Sequence, residues 1–146
     1  MNQDFAEMLG ALCDQQAEFL VVGAYAMAAH GFPRATGDID IWVRPTPENA
    51  EKVWQALMTF GSPLFNLTKQ DLCDPGVVFQ IGLPPNRIDI LTRITGVEFE
   101  KAWGDRLQIT IQDRTIPVLG RQDLIHNKLT TGRPKDLGDA ETLKNG

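Results

Sequence analysis

Residues 21–43, VVGAYAMAAHGFPRATGDIDIWV, constrain this chain more than any other stretch. Asp38 and Asp40 lie two apart in a β-branched run. An extended backbone therefore sends both to one face of a sheet and Ile39, Ile41 and Val43 to the other, into a core. Two carboxylates fixed side by side at about 4 Å repel by on the order of 4 kcal/mol at an effective dielectric near 20. A fold that keeps such a pair needs a counter-charge, and a divalent cation is the natural candidate.

The pattern repeats downstream. In Arg87-Ile88-Asp89-Ile90-Leu91, Ile88 and Ile90 face a core and Asp89 the opposite side. If the two segments are neighbours in register, Asp89 joins Asp38 and Asp40. Three carboxylates on a rigid sheet form a hard-oxygen donor set suited to Mg²⁺. Two such ions can clamp the attacking and leaving oxygens of a phosphoryl displacement, and Asp89 could take the proton of the incoming hydroxyl. The plainer reading of a D-x-D is a solvated strand edge; the third Asp and the β-branched neighbours weigh against it.

The remaining periodicity places these strands in an α+β chain. Phe5, Met8, Leu9 and Leu12 predict a helix over 4–16, with Asp4 and Glu7 resembling a capping box. A buried strand follows at 19–22, broken by Gly23, then a short helix at 24–30. Thr46-Pro47 starts another helix, which Gly61 ends. Strands at 77–83 and 87–94 are joined by Pro84-Pro85-Asn86. A second hairpin, 107–112 with 115–119, turns around Asp113-Arg114, and a short helical turn at 98–103 lies between the two hairpins. Helices at 121–130 and 134–144 close the sequence. This order predicts a mixed β-sheet flanked by helices, and the 146 residues are expected to form one domain, 1–146.

Bulk properties narrow the partners. The net charge of -5 argues against general duplex-DNA binding but leaves room for a nucleotide or RNA held by a local basic patch. Cys13 and Cys73 form no disulfide framework, so a reduced, cytoplasmic setting is expected. With His30 and His126 as the two histidines, zinc is not favoured. No apolar run reaches the roughly 20 residues of a membrane span, and Asp4 and Glu7 are unlike a signal peptide.

Taken together, Val22-Gly23-Ala24, then Asp38-Ile39-Asp40-Ile41, then Asp89 resemble the nucleotidyltransferase superfamily related to DNA polymerase β. The string Arg34-Ala35-Thr36-Gly37-Asp38-Ile39-Asp40 and the tail Lys128…Gly132-Arg133-Pro134-Lys135-Asp136-Leu137…Asp139 are similar to small bacterial members near the abortive-infection and toxin–antitoxin nucleotidyltransferases. The match spans about residues 19–139. The resemblance implies Asp38, Asp40 and Asp89 as catalytic and metal-binding residues, two Mg²⁺ ions, and an NTP whose nucleoside monophosphate passes to a hydroxyl with release of pyrophosphate. Gly23 and Ala24 would present backbone N–H groups to the phosphates, with Arg34, Thr36 and Lys128 also at the nucleotide. Ala24 departs from the Gly or Ser usual there and brings no hydroxyl to a phosphate oxygen.

Several alternatives stay open. Gly23 could be a plain strand-to-helix turn, and Arg34 could pair with Asp38 or Asp40 instead of phosphate. Trp42, on the acidic face by alternation, could stack a base or pack beneath a helix. Asp136 and Asp139 could salt-bridge Arg133 or Lys135. The whole chain could instead be a catalytically weak or inactive binding module of the same fold, such as a toxin–antitoxin component, or a metal-assisted phosphoesterase. The acceptor (RNA, protein or small molecule) is not written in the sequence. A chain this short could complete its cleft with a second copy or a partner protein.

Overall fold

The computed structural model describes residues 1–83 and 85–146. The elements run α1 (Gln3–Asp14), β1 (Phe19–Val22), α2 (Gly23–Ala29), β2 (Asp38–Val43), α3 (Pro47–Phe60), β3 (Val78–Ile81), β4 (Arg87–Leu91), α4 (Phe99–Gly104), β5 (Leu107–Ile111), β6 (Arg114–Val118), α5 (Arg121–Thr131) and α6 (Pro134–Asn145), with one 3-10 turn at Asp71–Cys73. Among the described residues six strands make one mixed sheet in the order β3-β4-β2-β1-β6-β5. This is the helix-flanked mixed sheet expected from the periodicity. Among the described residues no helix is long and apolar enough to cross a membrane.

Burial explains the order. All four residues of β1 are buried, as an unbroken apolar run in a central strand requires. It pairs antiparallel with β2 and parallel with β6. Ile39 and Ile41 of β2 are fully buried, and Ile88 and Ile90 of β4 nearly so. The polar alternates of both strands are thereby forced onto the opposite face.

Local chemistry sets the boundaries, in places differently from expectation. Thr46 caps α3, its hydroxyl accepting from Asn49 N–H, with Pro47 at the first helical position and Gly61 left-handed beyond the end. At α1 the cap is Asn2, not Asp4: the Asn2 side chain accepts from the N–H groups of Asp4 and Phe5 at 2.8 and 3.3 Å. Asp4 then sits in the first turn, where its charge favours the helix dipole. The β5–β6 turn is Gln112-Asp113, both at positive φ, the two-residue geometry that matches strand twist, so Arg114 already belongs to β6. Strands β3 and β4 pair antiparallel as expected, each shorter than predicted; of the connection, Pro84 lies outside the described residues.

Candidate functional site

The site rests on one register. Parallel pairing of β2 with β4 sets Asp40 opposite Asp89 and Asp38 opposite Arg87. Cross-strand partners share a face, so Asp38, Asp40, Asp89 and Arg87 project together. Asp89 is buried, and Asp38 and Asp40 are half-buried. Burial, then the charge and hydrogen bond of Asp89 and the charge of Asp38, push the Asp40 carboxyl up to about 6, with Arg87 pulling weakly the other way.

Arg87 is the residue that sequence reading missed. Its Nε donates to Asp89 Oδ1 at 2.8 Å, and its Nη2 reaches Asp89 Oδ2 and Asp38 Oδ2, each at 3.2 Å. The alternation that placed Asp89 on this face also placed Arg87 there, two residues earlier. With the guanidinium between Asp38 and Asp89, no three His, Cys, Asp or Glu side chains among the described residues are gathered tightly enough to hold an ion as they stand. By chemistry the donor set still suits a hard divalent cation: carboxylate oxygens only, with more negative charge than one guanidinium offsets.

Gly23 opens α2 beside these acids. Its φ is +68°, and a Cβ there would lie 2.4 Å from Asp40 Oδ2, so no side chain fits without displacing the carboxylate. Gly37 is as tightly constrained: a Cβ would meet the Pro85 carbonyl oxygen, and its own carbonyl accepts from Arg87 N–H at 2.9 Å. Thr36 is tied to the start of β2, its hydroxyl accepting from Asp38 N–H at 3.1 Å. These backbone constraints hold the approach to the acidic strand in one path.

Next to the acids lies a cavity of about 470 Å³ whose walls include Gly23, Ala24, Thr36, Arg93, Lys128 and Lys135. That volume suits a small-molecule ligand. Arg93, on the segment after β4, was not singled out from the sequence. Among the described residues neither Arg93 nor Lys135 makes an ion pair.

The other cations are engaged. Arg34 pairs with the buried Asp139 of α6, not with Asp38 or Asp40. Lys128 lies 3.2 Å from Asp136 and 3.1 Å from Asp139. Arg133 Nε and the Thr131 hydroxyl donate to Asp136 at 2.7 and 2.6 Å. Burial alone would raise the Asp136 carboxyl, but the hydrogen bonds from Thr131, Arg133 and Lys128 hold it below its ordinary value. Of the partners expected for Asp136, Arg133 is present and Lys135 is not. Trp42 takes the packing alternative: it is buried, edge-on to Phe99 of α4 with ring centroids 5.0 Å apart.

No protein-family model matches this chain, and no curated protein matches its sequence. Solved structures do match. A Thermotoga maritima protein classed by inference as a nucleotidyltransferase shares 18% identity at a TM-score of 0.62, covering 97% of this chain and 88% of that one. ANT(2″)-Ia in complex with adenylyl-2″-tobramycin shares 14% identity at 0.62, covering 97% and 86%. The lincosamide antibiotic adenylyltransferase LnuA, with lincomycin bound, shares 15% at 0.58, covering 99% and 96%. At these identities the likeness speaks for architecture alone: the chain shares the fold of these three structures.

Proposed function

We propose that this chain is an Mg²⁺-dependent nucleotidyltransferase that moves a nucleoside monophosphate from an NTP to a hydroxyl. The observation that carries the reading is the in-register trio Asp38, Asp40 and Asp89 beside a cavity lined by two cations, Arg93 and Lys135, that make no ion pair among the described residues. In the reaction the acceptor oxygen bonds to the α-phosphorus, the bond to the β-phosphate oxygen breaks, and pyrophosphate leaves. Asp38, Asp40 and Asp89 would hold the metal, and Asp89 would receive the hydroxyl proton. When bound, Mg²⁺ offsets the charge that builds on the attacking and leaving oxygens.

The chain's own groups do the rest. Gly23 brings bare backbone to the acids, and Ala24 beside it contributes an N–H without a hydroxyl. Thr36 fixes the start of β2. Arg93 and Lys135 supply positive charge for the polyphosphate, a role the sequence had suggested for Lys128. Lys128 and Arg34 act chiefly by locking α6 and the loop before β2 around the cavity. Because ANT(2″)-Ia and LnuA are described with antibiotics, a small-molecule hydroxyl is the favoured acceptor.

Incubation with each labelled NTP, Mg²⁺ and a panel of hydroxylated small molecules tests the reading. The wild type is expected to label an acceptor and release pyrophosphate. The folded Asp38→Asn/Asp40→Asn double variant is expected to do neither. A double variant that still labels the acceptor rejects the mechanism.

A further inference from the structure

Arg87 makes contacts that a divalent ion would make. One planar guanidinium spans two strands, engaging both oxygens of Asp89 and one of Asp38. This fork geometry suits carboxylates and cannot be deprotonated away. The side chain keeps 26% of its exposure, so it is not sealed over the acids. Asp40, the third acid, has no cation partner among the described residues.

Two roles fit an arginine beside a metal site, and they predict opposite signs. An orienting residue holds the ligands for the ion, and its loss weakens binding. An occupant holds the ligands instead of the ion, and its loss strengthens binding. The contacts here are those of an occupant. Arg87 lies between Asp38 and Asp89, and a dication entering the trio would meet a like charge beside it.

Accepting the metal reading above, we propose that Arg87 is a resident counter-cation that holds the carboxylates together in the metal-free protein and must release them when a divalent ion binds. Metal alone therefore binds weakly. An NTP brings the ion together with phosphate oxygens that give the released guanidinium new acceptors. Metal and nucleotide accordingly reinforce each other's binding, and Arg87 is one source of that coupling.

Mn²⁺ binding, followed by electron paramagnetic resonance of the free ion and by calorimetry, tests this on the intact chain. With no nucleotide, Arg87→Gln is expected to bind Mn²⁺ at least about tenfold more tightly than the wild type, since both the contacts that compete for the carboxylates and a neighbouring like charge have been removed. Adding a non-hydrolysable ATP analogue is expected to raise Mn²⁺ affinity more in the wild type than in the variant. In chelator the variant is expected to melt at a lower temperature, and Mn²⁺ to restore it. Equal or weaker Mn²⁺ binding by folded Arg87→Gln overturns the proposal and makes Arg87 an orienting residue. Absence of any Mn²⁺ binding by the wild type, with or without the analogue, overturns the metal reading itself. Should Arg87→Gln not fold in chelator, Arg87→Lys carries the test: it keeps the charge but loses the fork, so a smaller gain in affinity is expected, and no gain overturns the proposal.

Discussion

Two groups of acids, each with a member on the wall of one cavity, are held in opposite ways. On β2 and β4 a single guanidinium meets two of three carboxylates, Asp38 and Asp89, and the third, Asp40, is pushed up to about 6. On α6 two buried carboxylates, Asp136 and Asp139, meet Lys128, Arg34 and Arg133, and Asp136 is held below its ordinary range. The helical group is electrostatically closed: each acid has partners within the chain. The strand group is open. Of the two groups, only the strand one holds a carboxylate without a cation partner among the described residues, Asp40.

Lys128→Met should produce the largest effect. It removes a cation partner from each of two buried carboxylates, leaving Asp136 with Arg133 and Thr131 and Asp139 with Arg34, and is expected to cost about 3 kcal/mol in denaturant unfolding, the low end for removing one partner of a buried pair. An unchanged midpoint would show the helical group to be loosely held and would return Lys128 to the nucleotide. Asp40→Asn should do the reverse. The folded carboxyl titrates near 6 against an ordinary 3.8, so ionising it removes stability as the pH rises through that interval. Without metal, Asp40→Asn is expected to stabilise the protein by about 1–3 kcal/mol at pH 8 and by nothing at pH 3, where the aspartate is neutral in both states. A loss of stability at pH 8 would mean that the strand acids are as well satisfied as the helical ones. Arg93→Ala should have the smallest effect: roughly three- to tenfold weaker NTP binding, diminishing with added salt, and an unaltered melting temperature. A fall in melting temperature would place Arg93 in the closed group instead.

The strand acids were legible from the sequence because a period of two is a rigid rule. Once residues 38–43 and 87–91 are extended, Asp38, Asp40 and Asp89 have one available face, and only the pairing of β2 with β4 had to be supposed. Arg87 obeys the same rule and was readable in principle, but its β-branched neighbours drew attention to the core instead. The helical group was not legible in full. Asp136 and Asp139 lie one turn apart on α6, but Lys128 reaches them from α5 and Arg34 reaches Asp139 from the loop before β2, and no local pattern encodes partners so distant in sequence. Trp42 shows the same limit: alternation gave its face, but only the placement of α4 decided between an open ring and a covered one. The cap of α1 also escaped, because Asn2 and Asp4 are both good caps and the choice depends on where the backbone turns, whereas the Thr46 cap of α3 was read correctly.

The pairing of Arg34 with Asp139 has a consequence for biogenesis. The segment leading into β2 is made early, while its anchor on α6 is encoded far downstream. A growing polypeptide can therefore assemble its central strands before that segment is fastened, and the cavity gains its last wall only when α6 docks. Premature release ahead of α6 would leave a nascent product with its acids in place and its entrance loose, a ready mark for proteolytic disposal.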